Sequence, residues 1–390
     1  MNAGGALARR GASKRNPSDM NFDFSDDQKF LRGEARKFLD AHCTTQVVRG
    51  VLNDEARSYD EDLWRAVAGQ GWLGTAIPEE HGGLGLGRME LCVLAEELGR
   101  ALAPIPFAST LYFFAEAVLT HGDDAQKAAL LPRIAAGELI GCIATVEGPG
   151  ALTASQVKAS VDGGKLSGEK IPVTDGDVAH QALVLARDGG RLSLFLVDLN
   201  GAGVARETLK TLDPTRGAAK LTFTGAPAVR LGGAGEGLEI VEDVNNRAAV
   251  LLAFEQVGGA DQALEMAKDY AKNRYAFGRP IGSYQAIKHK LADMYVKNEL
   301  ARSNAYYGAW ALDTGAAELP IAAASARVAA TEASWFAAKE NLQTHGGIGF
   351  TWEMDCHLFY RRAQQLGLVA GGAKQWKERL VSQLERRNAA

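Results

Sequence analysis

Two short segments concentrate the side chains most able to hold an anion. In the first, Arg274-Tyr-Ala-Phe277-Gly278-Arg-Pro280-Ile-Gly-Ser-Tyr-Gln285, the arginine closes a helical pattern and offers a forked cation suited to a pyrophosphate. Gly278 and Pro280 set the turn that follows. Phe277 presents a flat apolar face, and Gln285 can both donate and accept hydrogen bonds. In the second, Gln343-Thr-His-Gly346-Gly347-Ile-Gly349-Phe350-Thr-Trp-Glu353, Gln343 has the same capacity. Gly346 and Gly347 carry no side chains, so backbone N–H groups can come close to an anion. A helix cap at Arg274 and a tight turn at Gly346-Gly347 would use the same residues, and residue types alone leave both readings open.

Other chemistry finds less support. Cys43, Cys92, Cys142 and Cys356 are far apart and form no C-x-x-C pair, so they read as buried thiols of a reducing compartment. Cys356 and His357 lie near His345 in the chain, but no second cluster completes a zinc set, and no metal is expected. Gly232, Gly233, Gly235 and Gly237 precede a helix, yet the G-x-G-x-x-G register fails at Leu238 and no second strand follows. A nicotinamide fold is therefore not expected, and the glycines read as a link.

Positioning such a site takes more than one domain. The chain has 390 residues, enough for two or three. At 46% hydrophobic and 23% charged it is ordinary for a globular protein, which excludes a disordered or fibrous chain. No apolar run reaches a membrane-span length, and a net charge of -4 gives no field to recruit nucleic acid. Residues 1–20 are rich in Arg and Lys and read as a disordered extension, with a transit peptide as the alternative. A cytoplasmic location is expected.

Residues 21–137 follow a helical period, with Ser25 placed to cap the first helix and Leu91, Leu94, Leu98 and Leu102 along one face of another. From residue 138 to 235 the pattern changes to short strands. Asp162-Gly163-Gly164 and Asp188-Gly189-Gly190 mark hairpins, and Lys220 to Thr224 alternates polar with apolar. A small β-barrel or sandwich is expected there. Residues 236–388 return to the helical period, and Val328, Trp335 and Leu342 fall seven apart, as in helices packed in a bundle. The fold class is α+β: helical domain, β-domain, helical bundle.

The two anion-holding segments closely resemble motifs of the acyl-CoA dehydrogenase family. So do Gly71-Trp-Leu-Gly74…Pro78-Glu-Glu-His-Gly82-Gly83-Leu-Gly85 and Glu96-Glu97-Leu98-Gly99-Arg100. The order of the four matches the family, and the resemblance spans about residues 22–385. It implies FAD shared between two subunits. Arg274, Phe277, Gln285, Gln343, Gly346 and Gly347 would reach across to the pyrophosphate and adenosine end of a neighbour's FAD. It further implies an acyl-CoA thioester substrate oxidised to the 2,3-enoyl-CoA, with electron delivery to an electron-transfer flavoprotein.

The family's catalytic equipment is incomplete here. Removing a weakly acidic α-proton takes a carboxylate base. The position where most members carry it, in a pattern like Tyr-Glu-Gly-Thr, is Ala370. The alternative position, on the first bundle helix, is Ala248; a slip of register gives Arg247 or Asn246. Glu255 lies two turns further along the same helix and is a candidate base by geometry, or a buried acid paired with a cation. The family's Thr-Glu-Pro-x-x-Gly-Ser-Asp loop is reduced to Glu147 within Val146 to Thr153, and its Trp-x-Thr to Pro172-Val173-Thr174. The resemblance implies that Thr174 remains as a flavin contact. This pattern suggests a partner chain of a heteromeric acyl-CoA dehydrogenase, completing the FAD site of a catalytic subunit. The alternatives are an active homo-oligomer, a dimer of dimers with an unusual base, and a non-enzymatic acyl-CoA-binding homologue.

Overall fold

The computed structural model describes residues 24–389; the extension read from residues 1–20 lies outside them. The elements follow in chain order: α1 (Asp26–His42), α2 (Thr45–Leu52), α3 (Glu61–Gly69), α4 (Arg88–Arg100), a π-helix (Ala108–Ala115), α5 (Glu116–His121) and α6 (Asp124–Ala135). Eight strands come next: β1 (Gly141–Ala144), β2 (Ser160–Asp162), β3 (Lys165–Thr174), β4 (Gln181–Asp188), β5 (Arg191–Asp198), β6 (Val204–Thr208), β7 (Ala218–Pro227) and β8 (Val229–Leu231). Then α7 (Gly237–Asn273), a short hairpin of β9 (Tyr275–Ala276) and β10 (Arg279–Pro280), α8 (Gln285–Thr314), α9 (Leu319–His345), α10 (Cys356–Leu366) and α11 (Ala373–Ala389) complete the chain.

Local sequence accounts for many of these boundaries. Ser25 accepts from the Gln28 amide and its own N–H donates to the Gln28 side chain at 2.9 Å, a reciprocal cap at the start of α1. Asp123 and Gln126 do the same for α6. Both glycines of each expected hairpin have positive φ: 54° and 76° at Gly163 and Gly164, 56° and 85° at Gly189 and Gly190. That is the backbone a two-residue turn needs.

The described residues form two compact units. The first comprises 49–87 and 104–248. Its sheet runs β6-β7-β3-β2-β4-β5-β8, with β1 parallel to β4. Leu221 and Phe223 of β7 point inward and Thr224 outward, as the alternation predicts. The link at Gly232 to Gly237 leads directly into α7, with no βαβ unit.

The second unit comprises 24–48, 88–103 and 249–389, so α1 and α4 cluster with the bundle helices. Glycines set the crossing of α4 and α7. A Cβ on Gly258 would stand 1.8 Å from the Glu96 carbonyl oxygen, and one on Gly99 2.0 Å from that of Glu255. The helices meet backbone to backbone there. Nearby, buried Glu97 accepts two hydrogen bonds from Arg36, at 2.7 and 2.9 Å. No helix among the described residues is long and apolar enough to cross a membrane. All four cysteines are buried, and none is in a disulfide among the described residues.

Candidate functional site

Within the second unit, three helix ends carry the residues expected from the sequence to hold an anion. Helix α7 ends at Asn273, and the Arg274 N–H closes its last turn on Tyr270 O at 2.8 Å. The chain then reverses through β9 and β10, with Phe277 at φ 53° and Gly278 at φ 78°. A positive φ is costly for a bulky residue, and here it leaves the Phe277 ring 98% exposed. The Ile281 N–H returns to Arg274 O at 2.8 Å, and the Tyr284 hydroxyl donates to Ala276 O at 3.0 Å. The turn is thus fixed while its aromatic tip stays free.

Two contacts draw the third helix end to the other two. The Tyr270 ring lies on the buried His345 ring, centroids 4.2 Å apart and planes 30° from parallel. Lys290, near the start of α8, pairs with Glu340 of α9 at 2.8 Å. Arg274, Gln285, Gln343, Gly346 and Gly347 therefore share one end of the bundle. Gln285, Gln343 and the Arg274 side chain are exposed. Gly346 adopts φ 64° and ψ -142°, a conformation that only glycine takes comfortably. A Cβ on Gly346 or Gly347 would meet nothing within 4 Å, so their backbone faces open space. A forked cation, two amides, an exposed aromatic ring and an open glycine backbone suit a pyrophosphate with its nucleoside.

The base positions have different surroundings. In the first unit, Ala248 is fully buried. Arg247 is committed to Glu116 at 3.2 Å and Asp243 at 2.9 Å, the latter also bonded to His121 at 2.9 Å. In the second unit, Ala370 follows α10 in a turn with φ 58°, and Gly371 follows at φ 106°. The buried Arg327 holds this turn from behind, donating to Leu366 O and, at 2.8 Å, to Val369 O. Burial pushes the Arg327 guanidinium down to about 10, and the Glu255 carboxylate opposes that shift.

Glu255 itself is 1% exposed and lies 3.7 Å from the Arg362 guanidinium. Its pocket encloses about 10 Å³, about the room of one water. These surroundings support the paired-acid reading of Glu255.

In the β-domain, Thr174 ends β3 opposite Ala218 and is half-buried. Pro172 is exposed where the family's aromatic would stand. Glu147 accepts from the Lys158 and Ala159 N–H groups at 2.8 and 3.0 Å and from Lys170 at 2.7 Å. Burial opposes ionisation of Glu147, but the Lys170 and backbone donors outweigh it and hold the carboxyl below its usual range.

Of the Cys/His residues near the chain end, His345 lies on Tyr270, His357 stacks on Trp352, and the Cys356 thiol faces the Asn341 side chain. Sequence reasoning did not assign Lys170, His345 or Tyr270. His345 lies within the Gln343–Glu353 motif, but its partner Tyr270 is distant in sequence and carries no signal there.

A helical unit and an eight-stranded sheet unit are the parts of an acyl-CoA dehydrogenase fold. The model of the acyl-CoA dehydrogenase N-terminal domain matches residues 25–138, and that of the C-terminal domain matches residues 235–383. Acyl-CoA dehydrogenase IpdE2 of Mycobacterium tuberculosis is 33% identical over 360 residues, covering 92% of this chain and 98% of its own. A chain of the Tcur3481-Tcur3483 steroid ACAD is 35% identical with a TM-score of 0.85, covering 94% of this chain and 99% of its own. A chain of the ChsE4-ChsE5 complex from Mycobacterium tuberculosis is 28% identical with a TM-score of 0.84, with the same coverage of 94% and 99%. The chain belongs to the acyl-CoA dehydrogenase family, whose members are FAD-dependent oxidoreductases.

Proposed function

We propose that this chain is the partner subunit of a heteromeric acyl-CoA dehydrogenase, completing the FAD site of a homologous catalytic chain. One contrast carries the reading. The bundle end with Arg274, Phe277, Gln285, Gln343, Gly346 and Gly347 is assembled and open, while the turn expected to bring the base carries Ala370.

In this reading Arg274 neutralises the pyrophosphate, and Gly346 and Gly347 present backbone N–H groups to it. Phe277 lies against the nucleoside, and Gln285 and Gln343 hydrogen-bond its polar edge. The chemistry that FAD supplies when bound is acceptance of a hydride. The α-proton is taken by a carboxylate of the catalytic chain, and the product is a 2,3-enoyl-CoA. On this chain's own side, Thr174 and the Glu147 loop are what remain of a flavin-facing surface.

Relatives named as a two-part steroid ACAD and as a two-part complex support both the heteromer and a bulky acyl-CoA ester as substrate. An electron-transfer flavoprotein as acceptor and a cytoplasmic location belong to the same proposal. Segments 21–137, 138–235 and 236–388 are its proposed functional divisions.

The test is purification with and without a co-expressed homologue that carries the missing Glu. The proposal expects little flavin absorbance and no turnover from the chain alone. The pair should give FAD in fixed subunit ratio and turnover. Stoichiometric FAD with activity from the isolated chain overturns it in favour of a homo-oligomer. Absence of flavin in every combination favours a non-enzymatic homologue.

A further inference from the structure

Each motif residue proposed to touch the dinucleotide is exposed or half-buried. His345, the residue immediately before Gly346, is not: it is 5% exposed. Its Nδ1 lies 2.9 Å from Asn341 O, and because a carbonyl only accepts, that nitrogen carries the proton. The bond ties the ring back onto the last turn of α9 and restricts its plane. The other face of the relationship is the Tyr270 ring at 4.2 Å. Tyr270 in turn supplies the carbonyl that receives the Arg274 N–H. One ring contact therefore separates the backbone of Arg274 from the backbone of the Gly346-Gly347 turn.

We propose that His345 is a positioning residue for dinucleotide binding: stacked on Tyr270, it sets the spacing between Arg274 and the Gly346-Gly347 turn. This rests on the function proposed above. A cation and a pair of amides grip one pyrophosphate more tightly when their separation is fixed beforehand, because less ordering is left to binding. Neither glycine can supply that fixity, and the Arg274 side chain has no ion pair or hydrogen bond among the described residues. The buried His345 ring, set on the half-buried Tyr270 ring, supplies it.

Two measurements test this, one of them independent of flavin. In the chain itself, H345A is expected to speed amide exchange together in residues 274–281 and 346–350, whereas H345F, which keeps a ring on Tyr270, stays close to wild type. Tyr270→Leu should reproduce H345A, and it serves if H345A does not fold. Faster exchange at one end alone, at neither, or equally in H345F overturns the proposal.

In the deflavinated complex with the catalytic homologue, H345A should weaken FAD binding about three- to tenfold, the range of an aromatic pair. Binding of FMN, which lacks the adenosine half, should stay unchanged. Equal weakening of FAD and FMN signals a general loss of structure and overturns the positioning role. R274A separates the two readings. If R274A leaves FAD binding unchanged, the proposed function fails at this site, and the exchange result still judges the strut. If R274A weakens FAD and H345A does not, the strut alone is rejected.

Discussion

The Lys170 ammonium is wholly buried and lies 2.7 Å from Glu147 Oε1. The carboxylate also holds two backbone N–H groups at the far side of its loop, so one ion pair anchors residues 145–159 against β3. Breaking such a pair from one side strands a buried charge.

Glu147→Gln should therefore destabilise the chain by about 3 kcal/mol, and Lys170→Met by less, since it removes the stranded ion itself. Urea unfolding measures both. The sign with pH follows from the lowered Glu147 value. Its stabilisation is complete above the unfolded carboxyl value and is lost as pH falls through the folded one. Acid unfolding of E147Q should accordingly show a shallower loss of stability below about pH 4.5 than wild type.

Glu255 is expected to act as counter-charge to Arg362 and Arg327. Glu255→Gln should lower stability by about 3 kcal/mol. Turnover of the flavin-loaded complex, measured where E255Q is still folded, should persist. Loss of turnover with FAD retained and stability unchanged would assign it the base role instead.

Gly258→Ala places a methyl carbon inside the Glu96 carbonyl and forces α4 and α7 apart. A loss of about 3 kcal/mol or more is expected, at the upper end for overpacking. Gly347→Ala, which meets no atom within 4 Å, should change stability by less than about 0.5 kcal/mol. Thermal unfolding of the two side by side checks the contrast.

Phe277 gives the opposite dissociation. Its ring is exposed, so Phe277→Ala should leave the chain's unfolding within about 0.5 kcal/mol of wild type. In the complex the same change should lower bound flavin per subunit, read by absorbance, because an exposed aromatic anchor contributes once a partner covers it.

Much of the fold could be read from local signals. Ser25 with Gln28, and the paired glycines of both hairpins, act within a few residues and behave as expected. The π-helix at Ala108–Ala115 was not legible: every residue in it is buried, so the apolar run carries no period to distinguish one helix from another. β6 was missed because its side chains are mostly exposed and polar.

The site was legible as motifs and illegible as an assembly. Lys170 occupies a strand position whose type suggests solvent, and only Glu147, brought beside it by the fold, explains its burial. His345 and Tyr270 likewise matter as a pair, and pairs distant in sequence leave no trace in a single chain.

The turn at Ala370 carries a last consequence. Its shape is held by Arg327 through the carbonyls of Leu366 and Val369 and by backbone bonds such as Gly371 N–H to Leu368 O, not by the Ala370 methyl. Alanine and glutamate meet the same Cβ penalty at φ 58°. Position 370 can therefore exchange its side chain while the backbone stays put. A lineage could discard or recover a carboxylate there in a single substitution, and the bundle would fold the same way before and after.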